Sequence, residues 1–172
     1  IHLVHGFHAA IRYTKTIHNG LEIVGWKPNP FVPGKIFTIG IVGQVGRWKG
    51  HEDLLLALDL LRKKEPGMSF RLCIFGGGES EFKNELEALI REKKLENYIE
   101  WKGFVKNIKE IYSGLQVVCV PTRTEEPFAT SALEAGLYAV PVIVTRKGGF
   151  PEIVKDGHSG YIVEANDPGA IA

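Results

Sequence analysis

Short, almost wholly apolar runs alternate along the chain with longer segments whose apolar positions recur every three or four residues. The first apolar run, IFTIGIVG at 36–43, is rich in β-branched residues and ends in glycine, which predicts a buried strand. HEDLLLALDLLRKK at 51–64 puts Leu54, Leu55, Leu58 and Leu61 at helical spacing, with acids in its first turn and bases in its last. The pattern then predicts a strand over 69–78, an amphipathic helix over 80–94, a short strand over 98–103 and a short helix over 108–114. A strand over 115–122 stopped by Pro121, a helix over 128–138, a strand over 140–145, a helical turn over 149–156 and a last strand over 159–165 complete it. Upstream, HNG at 18–20 and KPNPFVPGK at 27–35 read as turns, so residues 1–35 are expected to be a linker or hinge entering a domain that occupies 36–172. The closing NDPGAIA reads as a helix just starting, and the chain is expected to be cut there.

Strands that alternate with helices imply βαβ crossovers, hence an α/β fold in which a parallel sheet of about six strands is covered on both faces, a three-layer α/β/α arrangement. Such sheets bind ligands at the carboxyl ends of their strands, where the strand order reverses. The loops that matter are therefore GQVGRWKG, FGGGES, KGFVK, PTRTEEPF and TRKGGFPE.

Composition narrows the partners. The 172 residues carry 21 Lys+Arg against 20 Asp+Glu, a net charge of +1, which gives no electrostatic reason to expect nucleic acid or an anionic membrane. No apolar run approaches bilayer length and no signal peptide opens the sequence. Cys73 and Cys119 each fall inside a strand-like run and read as buried reduced thiols, which suits a cytoplasmic protein.

The first glycine loop, with Gly40, Gly43 and Gly46, lets a ligand approach the backbone, and Lys49 adds charge at the positive end of the following helix. That is a phosphate site, or else an ordinary turn with an exposed lysine. Neither G-x-G-x-x-G nor the P-loop pattern is met, since Gly50 follows Lys49. FGGGESE has Glu81 where a third glycine would stand and reads as a tight strand-to-helix turn. His2, His5 and His8 recur every third residue without a nearby acid or cysteine, so no metal is expected there. His51 and His158 read as surface or supporting residues rather than catalysts.

TEEPFATSALEAG at 124–136 is the most unusual stretch, with Glu126 and Glu134 bracketing an uncharged run. If a helix starts near Phe128, the amides of Phe128, Ala129 and Thr130 form a positive terminus suited to a diphosphate. Ala129, Ser131 and Ala132 are small enough for close approach. A carboxylate within the helix can accept both hydroxyls of a ribose, and one in the preceding loop can reach hydroxyls beyond the diphosphate. The spacing suits a ligand built as sugar, diphosphate, ribose. The competing reading is electrostatic capping by Glu126 and surface pairing by Glu134.

With KGH at 49–51, WKGFV at 101–105, VVCVPT at 117–122, EPF at 126–128, LEAG at 133–136, PVIV at 141–144 and GGFPEIV at 148–154, the chain from about Ile17 to its end resembles the C-terminal half of glycosyltransferases of the large retaining family 4. Glu126 and Glu134 stand as in that family's E-x7-E motif. The resemblance implies a Rossmann-like domain, one half of a GT-B architecture, that binds a UDP- or GDP-linked sugar without a metal or other cofactor; no D-x-D occurs in the chain. It implies that Glu126 contacts donor-sugar hydroxyls and Glu134 the ribose, that Lys49 and the amides near Phe128, Ala129 and Thr130 hold the diphosphate, and that Phe104 and Val105 border the base. It further implies hexosyl transfer to an acceptor hydroxyl in glycan, lipid or polysaccharide biosynthesis, with an acceptor-binding domain missing from this segment. That missing domain is the expected route to any membrane association. This segment alone is expected to bind donor weakly and transfer nothing. Gln44 replaces the arginine common after Gly43, with Arg47 as its nearest substitute, and Ala129 replaces a usual glycine. Those departures leave a non-catalytic nucleotide-sugar sensor open. An NAD-dependent oxidoreductase has only the sheet and the glycine loops in its favour.

Overall fold

The computed structural model describes residues 35–172 except Ala129, together with Lys15, Gly20 and Leu21. His2, His5 and His8 and nearly all of the expected linker lie outside the described residues.

Six strands, β1 (Phe37–Val42), β2 (Phe70–Phe75), β3 (Ile99–Gly103), β4 (Val117–Val120), β5 (Val142–Thr145) and β6 (Gly160–Val163), form one sheet in the order β3-β2-β1-β4-β5-β6. Every pairing is parallel. The order reverses between β1 and β4, whose pairing is brief, Ile39 against Val117 and Gly40 against Val118. In open parallel sheets ligands bind outside the carboxyl ends at such a switch point.

Side-chain alternation along the strands sorts the apolar residues into two cores. Ile39, Ile41, Leu72 and Ile74 pack with Leu54, Leu55 and Leu58 of α1 (His51–Lys64) and Phe82, Leu86 and Ile90 of α2 (Ser80–Glu92). Phe75, Val118, Val120, Val142 and Val144 pack on the other face with α3 (Ile108–Tyr112), α4 (Thr130–Leu137) and α5 (Phe150–Ile153). α6 (Pro168–Ile171) lies against α1. Each fully buried leucine of these cores contributes about 1.5–3 kcal/mol. Three layers result because strands buried on both faces need helices on both sides. Cys73 and Cys119 are buried free thiols belonging to opposite cores, and burial pushes the Cys119 thiol up to about 12.

Boundaries shift where the chain must turn. α2 ends at Glu92 because Lys94 adopts a left-handed conformation, φ 53°. α4 begins at Thr130, two residues later than the apolar pattern suggests. The Glu126 carbonyl accepts the Gly149 amide at 3.0 Å, which ties the preceding segment to the neighbouring loop rather than to the helix.

Candidate functional site

Three of the loops at the carboxyl edge are bound to one another. The β1–α1 loop passes through a short 3-10 turn, Arg47–Lys49, and enters α1 at Gly50, whose φ is +71°. A Cβ on Gly50 would lie 1.9 Å from the Pro121 carbonyl oxygen, so glycine permits both the turn and the contact with the β4–α4 loop. From that loop, the fully buried Thr122 donates its hydroxyl to the Trp48 carbonyl at 2.9 Å, and the Arg123 amide donates to the same oxygen at 2.7 Å. The Arg123 guanidinium holds Asp53 through two bonds of 2.8 and 2.7 Å and Glu52 through one of 2.6 Å. On the other side, Glu125 accepts the Gly148 amide at 2.5 Å. Gly148 has φ +50°, and a Cβ there would stand 1.9 Å from the Glu126 carbonyl oxygen.

This bracing fixes the position of Glu126. The Lys49 ammonium donates to both of its carboxylate oxygens, at 2.7 and 2.8 Å, and each side chain is 20% exposed. The pair is partly sheltered but reachable, and an anion arriving beside Lys49 would compete with the carboxylate for its protons. Eight positions on, in the second turn of α4, Glu134 accepts the Tyr112 hydroxyl at 2.7 Å. Burial pushes that phenol far above its ordinary pKa, and the neighbouring Glu134 adds to the effect.

Beside the glycine loops lies a cavity of about 360 Å³, lined by Gly43, Gln44, Phe75, Gly76, Phe104 and Val105, among others. Phe104 stands at it largely exposed, 83%. The second glycine loop forms part of the wall, and its Gly77 carbonyl accepts the Val45 amide of the first glycine loop at 2.8 Å, which ties the two loops together. The structure thus gathers Gly43, Gln44, Phe104 and Val105 at one cavity and joins Lys49 to Glu126.

Arg47 is not part of that group. Its guanidinium donates to both oxygens of Glu85, at 2.5 and 2.6 Å, and lies 4.9 Å from the centre of the Phe82 ring, so α2 engages it as cation and as plate. Because α4 starts at Thr130, its first-turn amides are those of Thr130, Ser131 and Ala132 rather than of a run beginning at Phe128. Phe128 precedes the helix, and Ala129 lies outside the described residues. His158 is exposed. His51 is buried beside the Lys49 turn, 3% exposed, and neither ring nitrogen has a hydrogen-bond partner among the described residues. Burial lowers its pKa to about 4; the nearby Gly46 carbonyl offsets part of this, and the Lys49 charge lowers it further.

Arg123 and Tyr112 were not legible as site residues. Arg123 reads as one more charge in a polar loop, and Asp53 and Glu52 as acids placed for the helix dipole. Tyr112 lies 22 positions from Glu134, a separation that no local pattern spans.

Among the described residues no helix is long and apolar enough to cross a membrane, and no group of three His, Cys, Asp or Glu side chains is placed to hold a metal ion. Residues 26–172 match the family model "Glycosyl transferases group 1". D-inositol 3-phosphate glycosyltransferase of Corynebacterium urealyticum is 34% identical over 152 residues, 82% of this chain and 34% of that protein. The C-terminal domain of the glycosyl transferase group 1 family protein LpcC from Francisella tularensis superposes with a TM-score of 0.70 at 33% identity, covering 82% of this chain and 73% of that one. HepE of Anabaena, solved in complex with UDP-glucose, gives a TM-score of 0.73 at 26% identity over 80% of this chain and 37% of its own. The chain spans about a third of the length of the curated relatives it matches.

Proposed function

The chain belongs to the glycosyl transferases group 1 family, and from that footing we propose that residues 36–172 form the donor-binding domain of a retaining glycosyltransferase of GT-B architecture. The oxidoreductase alternative falls with the family match. The observation that carries the reading is the arrangement of Lys49, Glu126 and Glu134 along the carboxyl edge, with a cavity beside the glycine loops.

In this reading the base enters the cavity bordered by Phe104, Val105, Gly43 and Gln44. Glu134 accepts the ribose hydroxyls. The diphosphate lies between Lys49 and the first amides of α4, where a charged donor and the helix terminus both favour an anion. Binding there draws Lys49 from Glu126 and frees that carboxylate for the sugar hydroxyls. As the sugar leaves for an acceptor hydroxyl, Lys49 neutralises charge growing on the diphosphate, and Glu126 holds the sugar in line. The acceptor, a glycan, lipid or polysaccharide, is met by a domain elsewhere in the longer protein, and the transfer needs no metal and takes place in the cytoplasm. HepE's complex with UDP-glucose makes UDP the first nucleotide to test and a hexose the first sugar.

The test separates the two acids. Losing Glu134 as alanine weakens UDP or GDP itself, whereas losing Glu126 weakens the nucleotide sugar and leaves the nucleoside diphosphate nearly unchanged. Equal loss of nucleoside-diphosphate affinity in both variants refutes the division. The sensor reading retains one observation in its favour: Gln44 stands where the resemblance leads one to expect arginine, and Arg47 is held by Glu85. An intact protein that binds donor and never turns over decides for the sensor.

A further inference from the structure

Tyr112 ends α3 completely buried, its ring stacked on Tyr138 at 5.6 Å with 12° between the planes. Its hydroxyl donates to Glu134 Oε2 at 2.7 Å and lies 3.2 Å from the Ser131 carbonyl oxygen. A phenol has one proton to give, and the short contact to the carboxylate takes the larger share of it. Glutamate on a helix normally samples several rotamers. Here one oxygen of Glu134 is held by a rigid ring that burial keeps in place. A carboxylate offers about four acceptor positions, so the bond to Tyr112 leaves enough for a vicinal pair of hydroxyls. The adjacent Ile111 lines the cavity beside the glycine loops, so one short helix both shapes that cavity and holds the acid.

We propose that Tyr112 is a positioning residue for nucleoside recognition, holding the Glu134 carboxylate in the orientation that receives the ribose hydroxyls. The proposal rests on the ribose role assigned to Glu134 above. A tie that merely satisfied a buried phenol would have the same geometry but a different consequence. It would affect folding without affecting discrimination for the ribose.

Tyr112→Phe removes the hydroxyl and keeps the ring. In the intact protein, UDP and 2′,3′-dideoxy-UDP are titrated by calorimetry against wild type and variant, with GDP and its dideoxy analogue as a second pair. Wild type is expected to bind the ribose form at least about tenfold more tightly than the dideoxy form, the scale of a lost pair of hydrogen bonds to a charged group. In Tyr112→Phe that ratio shrinks by about three- to tenfold through weaker binding of the ribose form, while dideoxy affinity stays within about twofold. Placing 4-aminophenylalanine at position 112 restores a donor and returns the ratio toward wild type. A variant that keeps the wild-type ratio, whatever its melting temperature, overturns the positioning role and leaves the Glu134 assignment standing, as does a failed rescue. A wild-type ratio near one, or no binding of either pair, overturns the ribose assignment and this proposal with it.

Discussion

Replacing Arg123 with leucine is expected to cost the domain about 2–3 kcal/mol and to lower its melting temperature by about 4–12 °C. The size follows from what the guanidinium leaves behind. Asp53 has a side chain only 6% exposed and takes two of the three charge-assisted bonds, at 2.8 and 2.7 Å. Removing one partner of a fully buried pair costs about 3–5 kcal/mol, chiefly because the other charge stays buried and unpaired. Arg123 and Glu52 are each 27% exposed, so water recovers part of that cost. Differential scanning calorimetry with urea unfolding reads the loss directly. The companion variant, Arg123→Leu with Asp53→Leu, removes the stranded charge and should regain more than half of it. A single variant that melts within about 1 °C of wild type, or a double variant that recovers nothing, refutes the account of Arg123 as the brace between the β4–α4 loop and the first turn of α1.

His51 predicts a pH dependence. Its folded pKa, about 4, lies below the ordinary 6.5, so the unfolded state takes up its proton first as pH falls. The contribution is fully present above about pH 6.5 and is lost as pH drops toward 4, about 3 kcal/mol in all and about 1 kcal/mol by pH 5.5. His51→Leu should flatten urea-derived stability between pH 7 and 5.5, and an unchanged slope counts against it. Gly148→Ala forces a Cβ toward the Glu126 carbonyl oxygen from a left-handed φ of +50°, so it should lower stability by more than about 2 kcal/mol in chemical denaturation; wild-type stability in the alanine variant would contradict that. Lys49→Met should weaken UDP binding by about tenfold or more, since it removes a cation and leaves the Glu126 carboxylate facing the diphosphate. Adding Glu126→Gln should restore part of the nucleoside-diphosphate affinity, and a double variant as weak as the single would show that repulsion plays no part.

Much of the fold was legible because periodicity is a local property. The Leu54, Leu55, Leu58 and Leu61 stripe needed an apolar surface to cover, and the β-branched valine and isoleucine runs, short and bounded by glycine and proline, suited the buried strands of a sheet. The Gly-rich loops and the segment of Glu126 and Glu134 could be assigned to one end of that sheet, because a parallel order places every strand's carboxyl end on one side. Arg47 shows where local reading ends. Its position three residues after Gln44 suggested the phosphates, yet Glu85, 38 positions away, holds it.

The elements and their layering could be read from the residues alone, because they depend on which residues are apolar and how far apart they stand along one helix or strand. The tertiary structure alone decided which charges meet. Lys49 finds Glu126 across 77 positions because two loops meet at the carboxyl ends of β1 and β4, Arg123 finds Asp53 across 70 because the β4–α4 loop meets the first turn of α1, and Tyr112 finds Glu134 across 22 because α3 packs against α4. A charged or hydroxyl-bearing side chain has many possible partners until the backbone is placed. Once it is placed, desolvation and hydrogen-bond geometry leave few of them within reach.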